Sequence, residues 1–216
     1  RIGGSSHHIV NLITYEKFAK THPEYFALHN GLRMPEQGRN SYIQVCYSNP
    51  DVREILYQDM LRQFDAGYDI VADGQPDGYS PCQCEKCRTL YGVEPSTTPL
   101  DGIHYMNDPA WGEKLWIMHR DMAERLLKDR PGKKVHIISY GPTKYPPRSF
   151  RSFPENVVIE LCSYTQEMFD LWSEVNVPGG FTVYIYNWGW YQLVGLTPKT
   201  SPDACAEQIR LFLRND

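Results

Sequence analysis

No run of apolar residues in this chain approaches the roughly 20 needed to cross a bilayer as a helix, so membrane insertion is not expected. Positive charge is not in excess either: 22 Lys and Arg against 26 Asp and Glu give a net charge of −4, with both signs interspersed. Without a basic field to collect phosphates, nucleic acid is not an expected partner. A glycine-rich loop is missing after the first apolar stretch, which removes the usual backbone cradle for a nucleotide. Internal repeats and low-complexity segments are absent as well. Residues Arg1 to Ser6 lack the apolar core of a signal peptide, but the chain also lacks an initiator Met, so that absence carries no information on location.

What is present is enough apolar material for one sizeable core: 41% of 216 residues, read as a single domain over residues 1–216. Aromatics are abundant, with 15 Tyr, 8 Phe and 5 Trp, and several stand beside Gly, Asn or Pro rather than inside periodic apolar runs. Rings placed this way suit the flat faces of sugars, and they suit protein interfaces too.

Period and punctuation divide the chain. The short β-branched stretch Ile9 to Ile13 reads as a buried strand, with a helix starting near Thr14. Asn49 as N-cap and Pro50 at the first helical position open a helix with Val52, Ile55, Leu56, Met60 and Phe64 on one stripe, closed by Gly67. Tyr68 to Ala72 reads as a strand running into the turn formers Asp73 to Gly78. A long irregular segment extends to Asn107, and loops of that length are more often functional than idle. Asp108 and Pro109 repeat the cap-then-proline signature for a second helix. Val135 to Tyr140, Val157 to Cys162 and Phe181 to Tyr186 are three further continuously apolar strands, Thr165 to Val175 is a short helical connection, and Ser201 with Pro202 starts a last helix.

This alternation predicts an α/β fold with a parallel sheet. Two architectures accommodate it: a doubly wound sheet, or a segment of a (β/α)8 barrel of the TIM type. Polar and aromatic residues cluster after nearly every strand while the phosphate loop is missing, which favours the barrel.

Four signatures occur in order: His22-Pro23-Glu24-Tyr25-Phe26-Ala27-Leu28, Cys46-Tyr47-Ser48-Asn49-Pro50-Asp51-Val52, Asp77-Gly78 through Cys82-Gln83-Cys84-Glu85-Lys86-Cys87, and Tyr140 to Pro147. In these the chain resembles a bacterial family known as domain of unknown function 4838. The resemblance runs over nearly the whole chain. It implies a glycoside hydrolase-like barrel, similar to enzymes that release N-acetylglucosamine-containing glycans and more distantly to α-glucuronidases and hexosaminidases. It also implies export to the periplasm or cell exterior. On that basis Ile9 to Ile13 would be about the third barrel strand and Phe181 to Tyr186 the seventh. The chain departs from related hexosaminidases in one respect: they carry an adjacent Asp-Glu pair where this sequence has Asp77-Gly78.

Glycoside hydrolysis needs a proton donor and a second group that attacks, activates water or orients a substrate acetamido group. The candidates are Asp77, which matches the family pattern, and Asp73, both after the second strand, together with Glu160, an acid inside an apolar strand where it must be paired or face a polar mouth. Turn formation is an equally good account of Asp73. Candidate sugar contacts are His7 and His8, provided that the first strand is Arg1 to Gly4, then Tyr140, Tyr186, Asn187, Trp188 and Trp190 after later strands. Cys82, Cys84 and Cys87 form a C-x-C-x-x-C group that could chelate a structural zinc with Cys46 as fourth ligand, or form two disulfides. Cys162 and Cys205 read as buried thiols. No cofactor is expected for catalysis. The expected function is hydrolysis of amino-sugar-containing glycans by carboxylate chemistry. The alternatives are a non-catalytic carbohydrate-binding barrel and a structural segment of a larger enzyme.

Overall fold

Five parallel strands carry the fold. The computed structural model describes residues 1–3, 7–33, 43–94, 109–187 and 200–215. Its strands are β1 (Ile2–Gly3), β2 (Leu28–His29), β3 (Leu32–Arg33), β4 (Ile70–Asp73), β5 (Lys134–Ser139), β6 (Val157–Leu161) and β7 (Phe181–Val183). Its helices are α1 (Ile9–Leu12), α2 (Tyr15–Phe18), α3 (Pro50–Asp65), α4 (Glu85–Arg88), α5 (Pro109–Asp129), α6 (Gln166–Ser173) and α7 (Pro202–Arg214). Among the described residues no helix is long and apolar enough to cross a membrane.

The main sheet has the order β1-β4-β5-β6-β7, all parallel, and β2 with β3 forms a small antiparallel hairpin apart from it. Spatial order follows chain order without a reversal. Among the described residues the reversal that marks a doubly wound sheet is not seen. Among the described residues the five strands do not close on themselves, and β1 and β7 are the edges.

Alternation along the strands separates the two faces. Val71, Val135, Ile137, Val157, Ile159 and Leu161 share one buried cluster with residues of α3, α5 and α6, among them Val52, Met60, Leu115, Met118, Leu126 and Trp172. The intervening positions pair with one another across the other face: Ala72 with His136, His136 with Val158, Ile138 with Glu160, Glu160 with Thr182.

The helix starts predicted at Asn49 and Ser201 form, Asp108 lies outside the described residues, and Thr165 adds a further cap. The Asn49 side chain accepts from the Asp51 amide with Pro50 behind it, Thr165 accepts from Met168, and Ser201 accepts from Ala204. Gly67 follows α3 at φ +91°, a conformation in which a side chain is strained. α5 approaches the 3-10 turn at Gly141–Thr143 so closely that a Cβ on Gly112 would stand 2.0 Å from the Pro142 carbonyl oxygen.

One predicted strand is a helix. Ile9 to Ile13 contains α1, and Ile9 and Ile13 are both buried at one-turn spacing while Val10 and Leu12 pack at the margin. Four apolar residues cannot distinguish a helical turn from a strand by period alone. The first strand is instead Ile2–Gly3, paired in register with Ile70 and Val71, which puts the histidines beyond a strand end. The aromatic surplus also has a packing explanation. Trp111, Trp116 and Trp172 are buried, and Trp116 and Trp172 meet edge to face at 5.5 Å beside Phe153.

Candidate functional site

The C-terminal ends of the parallel strands bring together residues distant in sequence. After β1, the His7 ring nitrogen Nδ1 is 2.7 Å from the Gln75 carbonyl oxygen, and its ring meets Tyr140 edge-on at 5.9 Å. Gln75, in the loop after β4, is fully buried and donates from Nε2 to the Tyr140 carbonyl at 2.6 Å and to Thr143 Oγ1 at 3.2 Å. Its Oε1 is buried without a hydrogen-bond partner among the described residues. Gln75 thus ties the ends of β4 and β5 together. It is the residue the sequence reading passed over, although a glutamine among five turn formers was itself the anomaly.

Asp77 lies exposed on this rim, accepts from the Gly78 amide at 2.9 Å and acts electrostatically on Tyr140. Burial, then the Asp77 charge, holds the Tyr140 phenol above its ordinary range. Next along the sheet, burial pushes the Tyr186 hydroxyl up, and burial likewise raises the Cys162 thiol to about 11. Cys162 is therefore part of the rim, half-buried, and not the core thiol expected. Glu160 is on β6, two residues before Cys162, which follows the strand end. Its side chain is 16% exposed and 4.0 Å from His136 Nε2, which also meets Thr182 Oγ1 at 2.8 Å. The acid thus faces away from the helix layer.

Other candidates are placed elsewhere. Asp73, the last residue of β4, shares the face of Val71 and is 2.7 Å from His119 Nδ1 on α5, with both side chains enclosed by the helix layer. His8 turns to α3 and meets Asp59 at 2.9 Å. Asn187 donates to Gln208 at 3.1 Å and to Cys205 at 3.6 Å, so it is tied to α7. Trp188 and Trp190 lie outside the described residues.

A second constellation lies apart from the sheet. The sulfurs of Cys46, Cys82, Cys84 and Cys87 are all within 4.8 Å of one another, with Cys46 3.7 Å from Cys84 and 3.6 Å from Cys87. All six cysteines of the chain are free thiols, so the disulfide alternative is not what forms. Four sulfurs about 2.3 Å from a tetrahedral centre stand about 3.8 Å apart, so the observed spacings suit one metal ion such as zinc. The Leu28 amide and Arg33 donate to Cys82 Sγ at 3.2 and 3.7 Å, placing positive charge and N–H groups against the sulfurs. Hydrogen bonds from Cys82 and then Cys87 hold Cys46 far below the ordinary thiol range, and the anion they face pushes Cys87 far up. A divalent cation bound there would favour the thiolate form of all four cysteines. Tyr47, Tyr79, Trp111 and Leu115 back the sulfurs with apolar surface.

No curated protein matches the chain. A family model does, over residues 3–215, and by that match the chain belongs to the family described as Domain of unknown function (DUF4838).

Proposed function

We propose that this chain is an arc of a TIM-type barrel of the glycoside hydrolase kind, acting on amino-sugar-containing glycans. The observation that carries the reading is the convergence of His7, Asp77 and Tyr140 at the C-terminal ends of β1, β4 and β5. Parallel strands wound in one direction, with helices packed on one face, collect their ligand-binding groups at that end. Asp77, an exposed carboxylate beside Tyr140, is suited to orient an acetamido group or activate water. Glu160, deeper on the face away from the helices, is its proposed partner. Asp73 is left out of the mechanism because its carboxylate is spent on His119 within the helix layer. Carbohydrate is the proposed ligand, stacked on Tyr140 and Tyr186, with Trp188 as a further proposed contact.

We also infer that the ion suited to the four cysteines is zinc in a closed structural site. Four thiolates leave no position for water or substrate, so the metal would brace the fold and take no part in bond cleavage.

The test is hydrolysis of aryl N-acetylglucosaminides and complex N-glycans by the full-length protein. Asp77→Asn is expected to lower kcat by about two orders of magnitude or more, with little change in KM. Equal rates in the two proteins remove Asp77 from the mechanism. Glycan binding without turnover in either supports a non-catalytic carbohydrate-binding role.

A further inference from the structure

The loop that leaves β4 carries Asp77 and then two of the four cysteines, and few of its bonds belong to regular structure. Gln75 anchors its start and the buried Tyr79 its middle, and one further side chain reaches the acid-bearing turn itself. Gln44 is 4% exposed; its Nε2 donates to the carbonyl oxygens of Asp77 at 3.4 Å and Gly78 at 3.2 Å, and its Oε1 accepts from the Ser80 amide at 3.0 Å. The same amide thus grips the acid-bearing turn from both ends. Gln44 stands two positions before Cys46 on an extended stretch fixed by the Phe26–Val45 bridge and by Cys46 N donating to Tyr25 O at 2.8 Å.

Beyond Ser80 the loop is stitched to the β2–β3 hairpin. His29 Nε2 lies 3.0 Å from the Pro81 carbonyl oxygen, the Gln83 amide donates to Leu28 at 2.8 Å, and Leu28 donates to Cys82 Sγ. The sulfurs are where three separate segments meet: 43–48, the hairpin, and 82–87. Two-residue strands and a four-residue helix supply little cooperative backbone bonding of their own. Beside these bonds and the buried core the segments share, the four sulfurs are where the side chains of segments 43–48 and 82–87 meet directly.

We propose that metal bound at Cys46, Cys82, Cys84 and Cys87 sets the position of the Asp77 turn through Gln44, which makes Gln44 a positioning residue. With the metal present, Cys46 and Cys82 are fixed relative to each other, and Gln44 transmits that fixed distance to residues 77–80. Without it, up to four sulfurs share no cation, segments 43–48 and 82–87 separate, and the grip of Gln44 loosens. The consequence for activity rests on the role proposed above for Asp77. The mechanical coupling does not.

Amide hydrogen exchange on the full-length protein separates the two. Zinc content is measured by elemental mass spectrometry, and cobalt(II) reconstitution reports tetrathiolate binding by its charge-transfer absorption. Chelation is expected to raise exchange about tenfold or more across residues 75–80 as well as 82–87, while β5 and β6 stay protected. Gln44→Ala is expected to keep one zinc per chain and the cobalt spectrum, yet show the same loss over 75–80, and Gln44→Glu, which keeps only the acceptor, an intermediate loss. Cys84→Ser, at the most exposed ligand, is expected to weaken metal binding and loosen 75–80 together. Unchanged exchange over 75–80 on metal removal, or loss of zinc in Gln44→Ala, overturns the proposal. If exchange behaves as expected, Gln44→Ala should lower kcat with KM nearly unchanged. An unchanged kcat there refutes Asp77 as an active-site acid and leaves the coupling standing.

Discussion

Asp73 and Asp77 come from one turn-forming segment, yet they belong to different parts of the molecule. Asp73 still obeys the two-residue alternation of β4, so it follows Val71 into the helix layer and finds His119; Asp77, past the strand, is free of that alternation. Removing the carboxylate would leave a buried imidazole without its partner. Asp73→Ala is accordingly expected to cost about 3–5 kcal/mol in urea denaturation, and a loss below about 1 kcal/mol would show that the pair is not structural. His136 gives a pH signature. Burial lowers its affinity for a proton below the ordinary 6.5, and the Glu160 charge opposes this only in part. The unfolded chain then takes up the proton first as pH falls. Stability from this group is complete above about pH 6.5 and is lost below it. The urea midpoint should drop between pH 7 and 5, and His136→Asn should flatten that drop. The acid Glu160 was legible in the sequence because an ionisable residue in an apolar strand demands an explanation, but its face was not. Val157 to Leu161 reads as apolar on both sides, and only the pairing with Ile138 and Thr182 settles which side the acid takes.

Among the elements, the long helices were the most legible because their ends are written locally. An Asn, Thr or Ser whose side chain accepts from an amide two or three residues on needs nothing from the rest of the chain. The first strand was not legible. Ile2–Gly3 becomes a strand because β4 is there to pair with it, and Gly3 is accommodated because a Cβ would meet the Tyr68 ring at 2.8 Å. The approach of α5 to the Gly141–Thr143 turn is similarly tertiary. Gly112→Ala should force the two apart and destabilise by about 1–3 kcal/mol, measured as a shift in the denaturation midpoint with Gly67→Ala as a strained but uncrowded comparison. A neutral Gly112→Ala would mean that helix and turn can separate without cost.

Across the whole molecule, strand order and burial together predict where protection is greatest. β5 and β6 are paired on both sides and lie between the edges β1 and β7, so their amides should exchange only on global unfolding, whereas the β2–β3 hairpin should open by local fluctuation. Equal exchange in both regions would mean that the hairpin and cysteine region folds as one unit with the sheet. By itself the sequence determined the alternation of strands and helices from α3 onward, the helix starts at Asn49 and Ser201 and the grouping of four cysteines, because period, caps and short spacings act over a few residues. Tertiary structure decided which face each acid takes, that His7, Gln75, Asp77 and Tyr140 share one rim, and that Gln44 grips the acid-bearing turn. Those outcomes depend on which strand lies beside which, and on contacts spanning dozens of residues, whose geometry no local pattern encodes.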